Sequence, residues 1–329
     1  MIKKEYIFSI CFFYSFLFFF ISPNNLYATN KPIREILLAG EITNPDNEIS
    51  GMDWYKEQLY LLPENATDHL FIISKKQIKE YLLSNNPKAI IPKKIKLISP
   101  NYQSLIKGFD GFEAIAFTDD NVILSIEVKT KENNMTGYIA WGTCNSSTNE
   151  LYFEKQSLKE VTTPIQIKNM AFESIVVHKN NAILLYEANG INLQKNVEHS
   201  KVSLDDYSLS KIDGFNVEYR ITDATTLDSN NKFWCINYFW LGEKEKLKPG
   251  KDIYLEDHSN NNNLKSIERI IELEIKNGVI SMTNTQPIQL FSENNASRNW
   301  EGIVRYGKNS FLVVTDKYPK MILGLVENN

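Results

Sequence analysis

Phe172-Glu173-Ser174-Ile175-Val176-Val177-His178, a polar break, then Ala182-Ile183-Leu184-Leu185-Tyr186-Glu187 reads as two apolar strands joined by a tight turn. One acid sits at the start of the first strand and another closes the second, fourteen positions on. The pattern returns on both sides. Ser50-Gly51-Met52-Asp53 leads to Glu64, Glu113-Ala114-Ile115-Ala116-Phe117 to Glu127, and Asp223-Ala224-Thr225-Thr226-Leu227 to Asn237, all with the same spacing. Glu301-Gly302-Ile303-Val304 leads to Asp316, fifteen on. Units of roughly 50–80 residues that each begin with two short strands point to an all-β chain folded as a β-propeller.

Strand counting sets the closure. Four units have enough chain for four strands each, whereas the last ends after three. An isolated apolar stretch at Arg34–Ile42 is expected to supply the missing strand and join the two termini in one sheet, removing an open edge. Five blades are expected, and a degenerate sixth between Asp223 and Glu301 stays open, as does a β-sandwich. Lys75–Ser84 reads as a helical insertion ended by Pro87 and Pro92, with a strand at Ile95–Ser99 behind it. The third unit is expected to end in a strand near Phe215–Tyr219, and the fourth to contain one continuous strand over Val279–Leu290. Gly242–Lys265, with its asparagines at Asn260–Asn263, reads as a loop.

The first residues carry another signal. Lys3 and Lys4 precede an apolar run from Ile7 to Ile21, and small residues end at Ala28. Residues 1–28 are therefore expected to be a secretory leader and 29–329 a single propeller domain, extracytoplasmic (periplasmic or secreted) and monomeric. An uncleaved anchor is the alternative, although the run is shorter than a full span. The whole chain carries a net charge of −4. Without its leader it would keep 34 basic and 39 acidic side chains, and no basic stripe, which argues against a nucleic-acid partner. Cys144 and Cys235 fall in different units and are expected to be buried and unpaired, a disulfide between them being the alternative.

In a propeller, equivalent repeat positions form rings around the axis. One ring would hold Ser50, Glu113, Glu173, Asp223 and Glu301, and a second Glu64, Glu127, Glu187, Asn237 and Asp316. Stacked acidic rings repel unless a cation lies between them, and calcium accepts many carboxylate oxygens in flexible geometry. Glu113, Glu173 and Glu301 are the candidate catalytic carboxylates, and Asp223, Glu127, Glu187 and Asp316 the candidate metal ligands. Arg220 and Arg298 are the candidate anchors for an anionic substrate. The same repetition also fits a structural role, with the acids accepting amides of the next blade. No nucleophile elbow, His-Glu-x-x-His motif, phosphate loop or Cys-x-x-Cys pair occurs.

Asn299-Trp300-Glu301-Gly302-Ile303 with Phe311–Asp316 resembles the closing repeat of the phytase-like propellers, a family also called "esterase-like activity of phytase". Phe172-Glu173-Ser174-Ile175, Phe112-Glu113-Ala114-Ile115 and Arg220-Ile221-Thr222-Asp223 resemble its internal repeats, and the SdiA-regulated propellers are similar. The resemblance spans nearly the whole chain after the leader. It implies an exported propeller that hydrolyses phosphoesters or other esters with calcium. The alternative is a non-catalytic propeller that binds an envelope protein or a glycan. Ser174 and Ala114 stand where that family favours glycine, and the first repeat has Ser50 in place of an acid.

Overall fold

The computed structural model describes residues 32–130, 134–254, 266–290, 298–317 and 320–328. The expected leader and the Asn260–Asn263 tract lie outside the described residues. Strand β1 (Arg34–Ile36) is separated from the next strand by two short 3-10 turns, at Glu41–Thr43 and Pro45–Asn47. Strands β2 (Ile49–Tyr55), β3 (Gln58–Pro63), β4 (His69–Ser74) and β5 (Lys93–Ile98) form an antiparallel meander. A second runs through β6 (Phe109–Thr118), β7 (Asn121–Lys129), β8 (Met135–Cys144) and β9 (Leu151–Thr162). A third comprises β10 (Phe172–His178), β11 (Asn181–Tyr186), β12 (Glu198–Ser203) and β13 (Leu209–Asp213). The fourth contains β14 (Arg220–Ala224), β15 (Lys232–Trp240), β16 (Ser266–Lys276), β17 (Val279–Met282) and the short β18 (Ile288–Gln289). The last has β19 (Trp300–Gly307), β20 (Ser310–Thr315) and β21 (Leu323–Glu327), and β1 completes it by pairing antiparallel with β21.

The first strands of these meanders neighbour one another in the closed order β2, β6, β10, β14, β19 and back to β2. The chain is thus an all-β propeller. Its apolar core is divided into slabs, each lying between two neighbouring sheets. Leu62, Tyr60, Phe112 and Leu124 share one slab, Val176, Leu185, Phe233 and Ile271 another, and Trp234, Ile270, Phe311 and Val313 a third. Ile36 enters a slab with Leu61, Leu312 and Leu323, so the N-terminal strand also anchors through its side chain. Outer edges are stitched in two places by parallel bridges, β5 to β9 at Leu97–Leu151 and β13 to β17 at Asp213–Val279.

Local choices agree with this plan. The helix α1 (Lys75–Leu83) starts on a capping box in which the Ser74 hydroxyl accepts the Gln77 amide and the Gln77 side chain accepts the Ser74 amide. Gly51 sits where an added Cβ would lie 3.1 Å from the Ala114 Cα, so the first strands approach closely at that point. Cys144 and Cys235 are both buried and unpaired. Among the described residues no helix is long and apolar enough to cross a membrane, which leaves strands out of account.

Three expected strands differ. The strand expected over Arg34–Ile42 ends at Ile36, and Ile42 lies in the 3-10 turn Glu41–Thr43. Phe215–Tyr219 is not a strand; β12 and β13 finish the third sheet, and residues 214–219 connect it to β14. The reason is side-chain pattern: β12 and β13 are polar outer strands (Lys201, Ser210, Lys211) that carry little apolar alternation. Val279–Leu290 is broken at Thr283, whose amide donates to the Glu272 carbonyl and whose hydroxyl donates to the Glu272 carboxylate, before β18 resumes beyond Pro287.

Asp223 holds two sheets together. Its carboxylate accepts the Ile303 amide of β19 at 2.7 Å and its neighbour Ala224 at 2.8 Å. Asp53 does the same with Phe117 of β6 and with Trp54. Asp223→Ala would strand a buried amide and is expected to cost about 1–3 kcal/mol in urea denaturation, with Asp223→Asn costing less. A loss below about 0.5 kcal/mol would rule out this brace.

Candidate functional site

Each first strand carries a β-bulge near its start, recorded as a register shift against its hairpin partner. The residues at the bulge are Ser50, Glu113, Glu173, Thr222 and Glu301. Bulges re-aim a side chain out of the pleat, and here they aim one position of every sheet at the axis. The ring position in the fourth sheet is therefore Thr222 rather than Asp223. The second ring shifts as well: one residue beyond the partner of the residue before each bulge stand Glu64, Glu127, Glu187, Tyr238 and Asp316, so Tyr238 replaces Asn237. The fourteen-residue spacing from Asp223 to Asn237 arose because both residues are displaced by one.

Thr222 and Ser50 show what the ring position does when it is not acidic. The Ser50 hydroxyl donates to the Phe112 carbonyl at 2.6 Å, and the Thr222 hydroxyl donates to the Trp300 carbonyl at 2.6 Å. Both acceptors directly precede a ring glutamate of the next sheet. Backbone groups of the second ring brace the sheets too: the Glu64 carbonyl accepts the Phe112 amide, and the Glu187 carbonyl accepts the Ile221 amide. Hydroxyls and main chain thus carry this bracing, and the ring glutamate side chains are left for other work.

Those side chains converge on one arginine. Arg220 Nη2 lies 3.0 Å from Glu173 Oε1 and 3.9 Å from Glu301 Oε1, and its Nε donates to Glu187. Its Nη1 faces Glu243 Oε2 at 3.8 Å. Glu187 is fully buried, and Arg220 is only 11% exposed. Burial opposes the guanidinium charge, but Glu173, Glu187, Glu243 and Glu301 outweigh it and hold the arginine ionised. Glu243 is a residue the repeat does not mark. It comes from the excursion after β15, where a short helix at Lys244–Leu247 also presents Lys246.

The other side of the cluster has no such partner. Among the described residues no cationic side chain forms an ion pair with Glu64, Glu113 or Glu127. Burial, then the charges of Glu48, Glu127 and Asp110, lifts the Glu64 pKa to about 8. Burial, Glu187 and Asp110 lift Glu127 to about 8, with Arg220 and Lys246 pulling the other way. Glu113 is raised well above the usual carboxylate range by burial and by Glu127, Glu64, Glu173 and Glu301. Glu173 is raised to about 8 by burial even though Arg220 opposes the shift. Glu301 is raised by burial and by Asp316, and the Asn299 amide bridges it to Asp316, 2.9 Å from Oδ2. Gly111 makes room for the Glu64 side chain, since a Cβ there would come within 2.4 Å of Glu64 Cγ.

Of the expected site residues, the structure brings together Glu113, Glu173, Glu301, Glu127, Glu187, Asp316 and Arg220. It sets two aside. Asp223 is committed to the sheet brace. Arg298 is buried beside β1, its guanidinium 3.8 Å from Glu35 and its backbone amide donating to Glu268. Arg220 has all three nitrogens facing carboxylates, so its first role is neutralisation. Among the described residues no group of three or more acidic, histidine or cysteine side chains forms a preassembled metal cluster.

No family model matches the chain, and no curated protein matches its sequence. Solved structures do resemble it in shape. A glucose dehydrogenase is 7% identical, with 89% of this chain and 99% of that one covered, at a TM-score of 0.48. The family-43 glycoside hydrolase of Xanthomonas citri complexed with xylose is 7% identical over 90% and 89%, at 0.49. The endo-arabinanase of Bacillus licheniformis is 11% identical over 86% and 94%, at 0.44. The functional reading rests on the chain's own side chains.

Proposed function

We propose that this chain is an exported, five-bladed propeller whose axial carboxylates hold calcium and, through it, an anionic phosphoester or carboxylester for hydrolysis. The five-blade reading is supported by the closed order of the first strands and by the apolar slabs between neighbouring sheets. The observation that carries the functional reading is the charge asymmetry of the hub. Arg220 forms ion pairs with Glu173 and Glu187, whereas among the described residues no ion pair reaches Glu64, Glu113 or Glu127, and the charges of Arg220 and Lys246 on Glu127 and of Lys317 on Glu64 act from farther away. The motif-level resemblance to the phytase-like propellers points the same way.

The oxygen chemistry of the hub suits calcium. Its hard carboxylate oxygens have pKa values raised first by burial and then by their acidic neighbours. Glu64, Glu113 and Glu127 would hold the ion, which when bound supplies Lewis-acid polarisation of an ester oxygen. Glu301, steadied by the Asn299 amide, would accept a proton from an attacking water once it is ionised, and its raised pKa makes that ionised form the stronger base. Glu173 and Glu187 keep Arg220 fixed beside it.

A second reading, a non-catalytic propeller binding an envelope protein or glycan, is favoured by one observation: Arg220 has no face left to grip an anion. One experiment separates the two. Purified protein is analysed for bound metal and assayed on a panel of phosphate and carboxylate esters, with and without chelator. Calcium in the protein, hydrolysis abolished by chelator, and a loss of at least about a hundredfold in Glu113→Gln are expected. Hydrolysis that survives excess chelator removes calcium from the scheme. A metal-free, inert protein leaves the binding propeller.

A further inference from the structure

At the far end of the β6–β7 hairpin, away from the carboxylates, a cavity of about 300 Å³ opens between the second and third sheets. Thr118 and Asn121 line it, and Thr118 is five residues along β6 from Glu113, about 16 Å at the rise of a strand. Trp141 of β8 and Tyr207 of the β12–β13 turn also line it, their rings stacked at 3.7 Å with planes 11° apart. Tyr152, 37% exposed, contributes a third aromatic ring.

Tyr207 is held there against its backbone preference. Its φ is 56°, a left-handed conformation that is strained for a bulky side chain. The Lys159 ammonium donates to its carbonyl, and Asp206 accepts the Ser208 amide at 3.0 Å, so both flanks of the turn are fixed. Strain of this kind persists where the surroundings impose it, and it concentrates at ligand sites. Here the Tyr207 ring lies stacked on Trp141.

We propose that this cavity binds a neutral saccharide unit, independently of the axial carboxylates. A sugar ring offers a face of C–H groups to an aromatic ring and hydroxyls at its edge to polar side chains such as Thr118, Asn121 and Thr143. No lysine, arginine or histidine lines the cavity, whereas Asp119 and Glu154 do, so it is not built for an anion and its carboxylates are placed to accept hydrogen bonds from sugar hydroxyls. Trp141 and Tyr207 spend one face each on one another, and no box of converging rings is left to surround an ammonium group.

The test uses the whole protein with cellotriose, maltotriose and tri-N-acetylchitotriose, read by calorimetry and saturation-transfer NMR, with tetramethylammonium chloride as the cationic control. At least one trisaccharide is expected to bind saturably, and Trp141→Ala to weaken it at least tenfold. Tyr207→Gly keeps the turn, because glycine takes the left-handed conformation without strain, and removes the ring. It is expected to melt at a temperature close to that of the parent and to lose binding at least tenfold. Absence of binding by all three sugars at tens of millimolar overturns the proposal. So does binding unchanged in Tyr207→Gly, or saturable binding of the ammonium ion in place of the sugars.

Discussion

Replacing Arg220 by leucine is expected to destabilise the protein by about 3–5 kcal/mol at pH 8, the cost of leaving a buried ionic partner uncompensated. That is a large share of the roughly 5–15 kcal/mol that separates folded from unfolded states in ordinary domains. The arginine is the cation against which Glu173 and Glu187 are buried, with Glu243 and Glu301 at its other nitrogens. With it gone, those carboxylates must either ionise without a partner or take up protons. The defect is therefore expected to shrink in acid: urea denaturation at pH 5 is expected to recover most of the lost stability. Arg220→Lys is expected to fall between, because a point charge cannot reach Glu173 and Glu187 together as the planar fork does. If the leucine variant loses less than about 1 kcal/mol at pH 8, Arg220 is not the keystone of the hub. Rescue by acid is what a packing defect alone would not produce.

The propeller was legible because each unit begins with two strongly apolar inner strands, and these keep their spacing. The outer strands of the third sheet were not, since β12 and β13 face solvent and alternate weakly. The closing strand could be inferred from counting alone, and β1 pairs with β21 as expected. At the site, the three ring glutamates and Arg220 stood in plain view within the repeat. What misled was reliance on spacing in the fourth sheet. There the hairpin of its first two strands is two residues longer from bulge to partner, so Thr222 and Tyr238 hold the equivalent places sixteen positions apart. Asp223 kept the expected distance to Asn237 while pointing its carboxylate into the neighbouring sheet. Glu243 was invisible for a different reason: it arrives on a connection that belongs to no repeat. The stacked pair of Trp141 and Tyr207 joins two sheets, and a single sequence carries no sign of such a meeting.

In the absence of any divalent cation, stability is expected to fall as pH rises from about 6.5 to above 8. Glu64, Glu127 and Glu173 have folded pKa values of about 8 against 4.5 for the unfolded chain, each raised first by burial. Between those values the folded state binds more protons than the unfolded one, so raising the pH favours unfolding. Asp53, raised by burial to about 7, adds in the same direction, as do Glu113, Glu187, Glu301 and Asp223. His199 works the other way. Burial lowers it to about 4, so the unfolded state gains its proton first and stability drops as pH falls below about 6.5. Above that point it no longer titrates and the acids act alone. The slope is at most about 1.4 kcal/mol per pH unit for each extra proton bound, and solvent at the half-buried Glu64, Glu113 and Glu301 keeps it below the full sum. Thermal melts in chelator at pH 6.5, 7.5 and 8.5 measure it, and Glu127→Gln, which carries no titrating proton, is expected to flatten the curve. A cation that replaces those protons reverses the trend: millimolar calcium is expected to raise the melting temperature markedly at pH 8.5 and hardly at all at pH 5. A protein that melts higher at pH 8.5 than at pH 6.5 in chelator would show that the hub carboxylates fold fully ionised, and the need for a bound cation would vanish with that result.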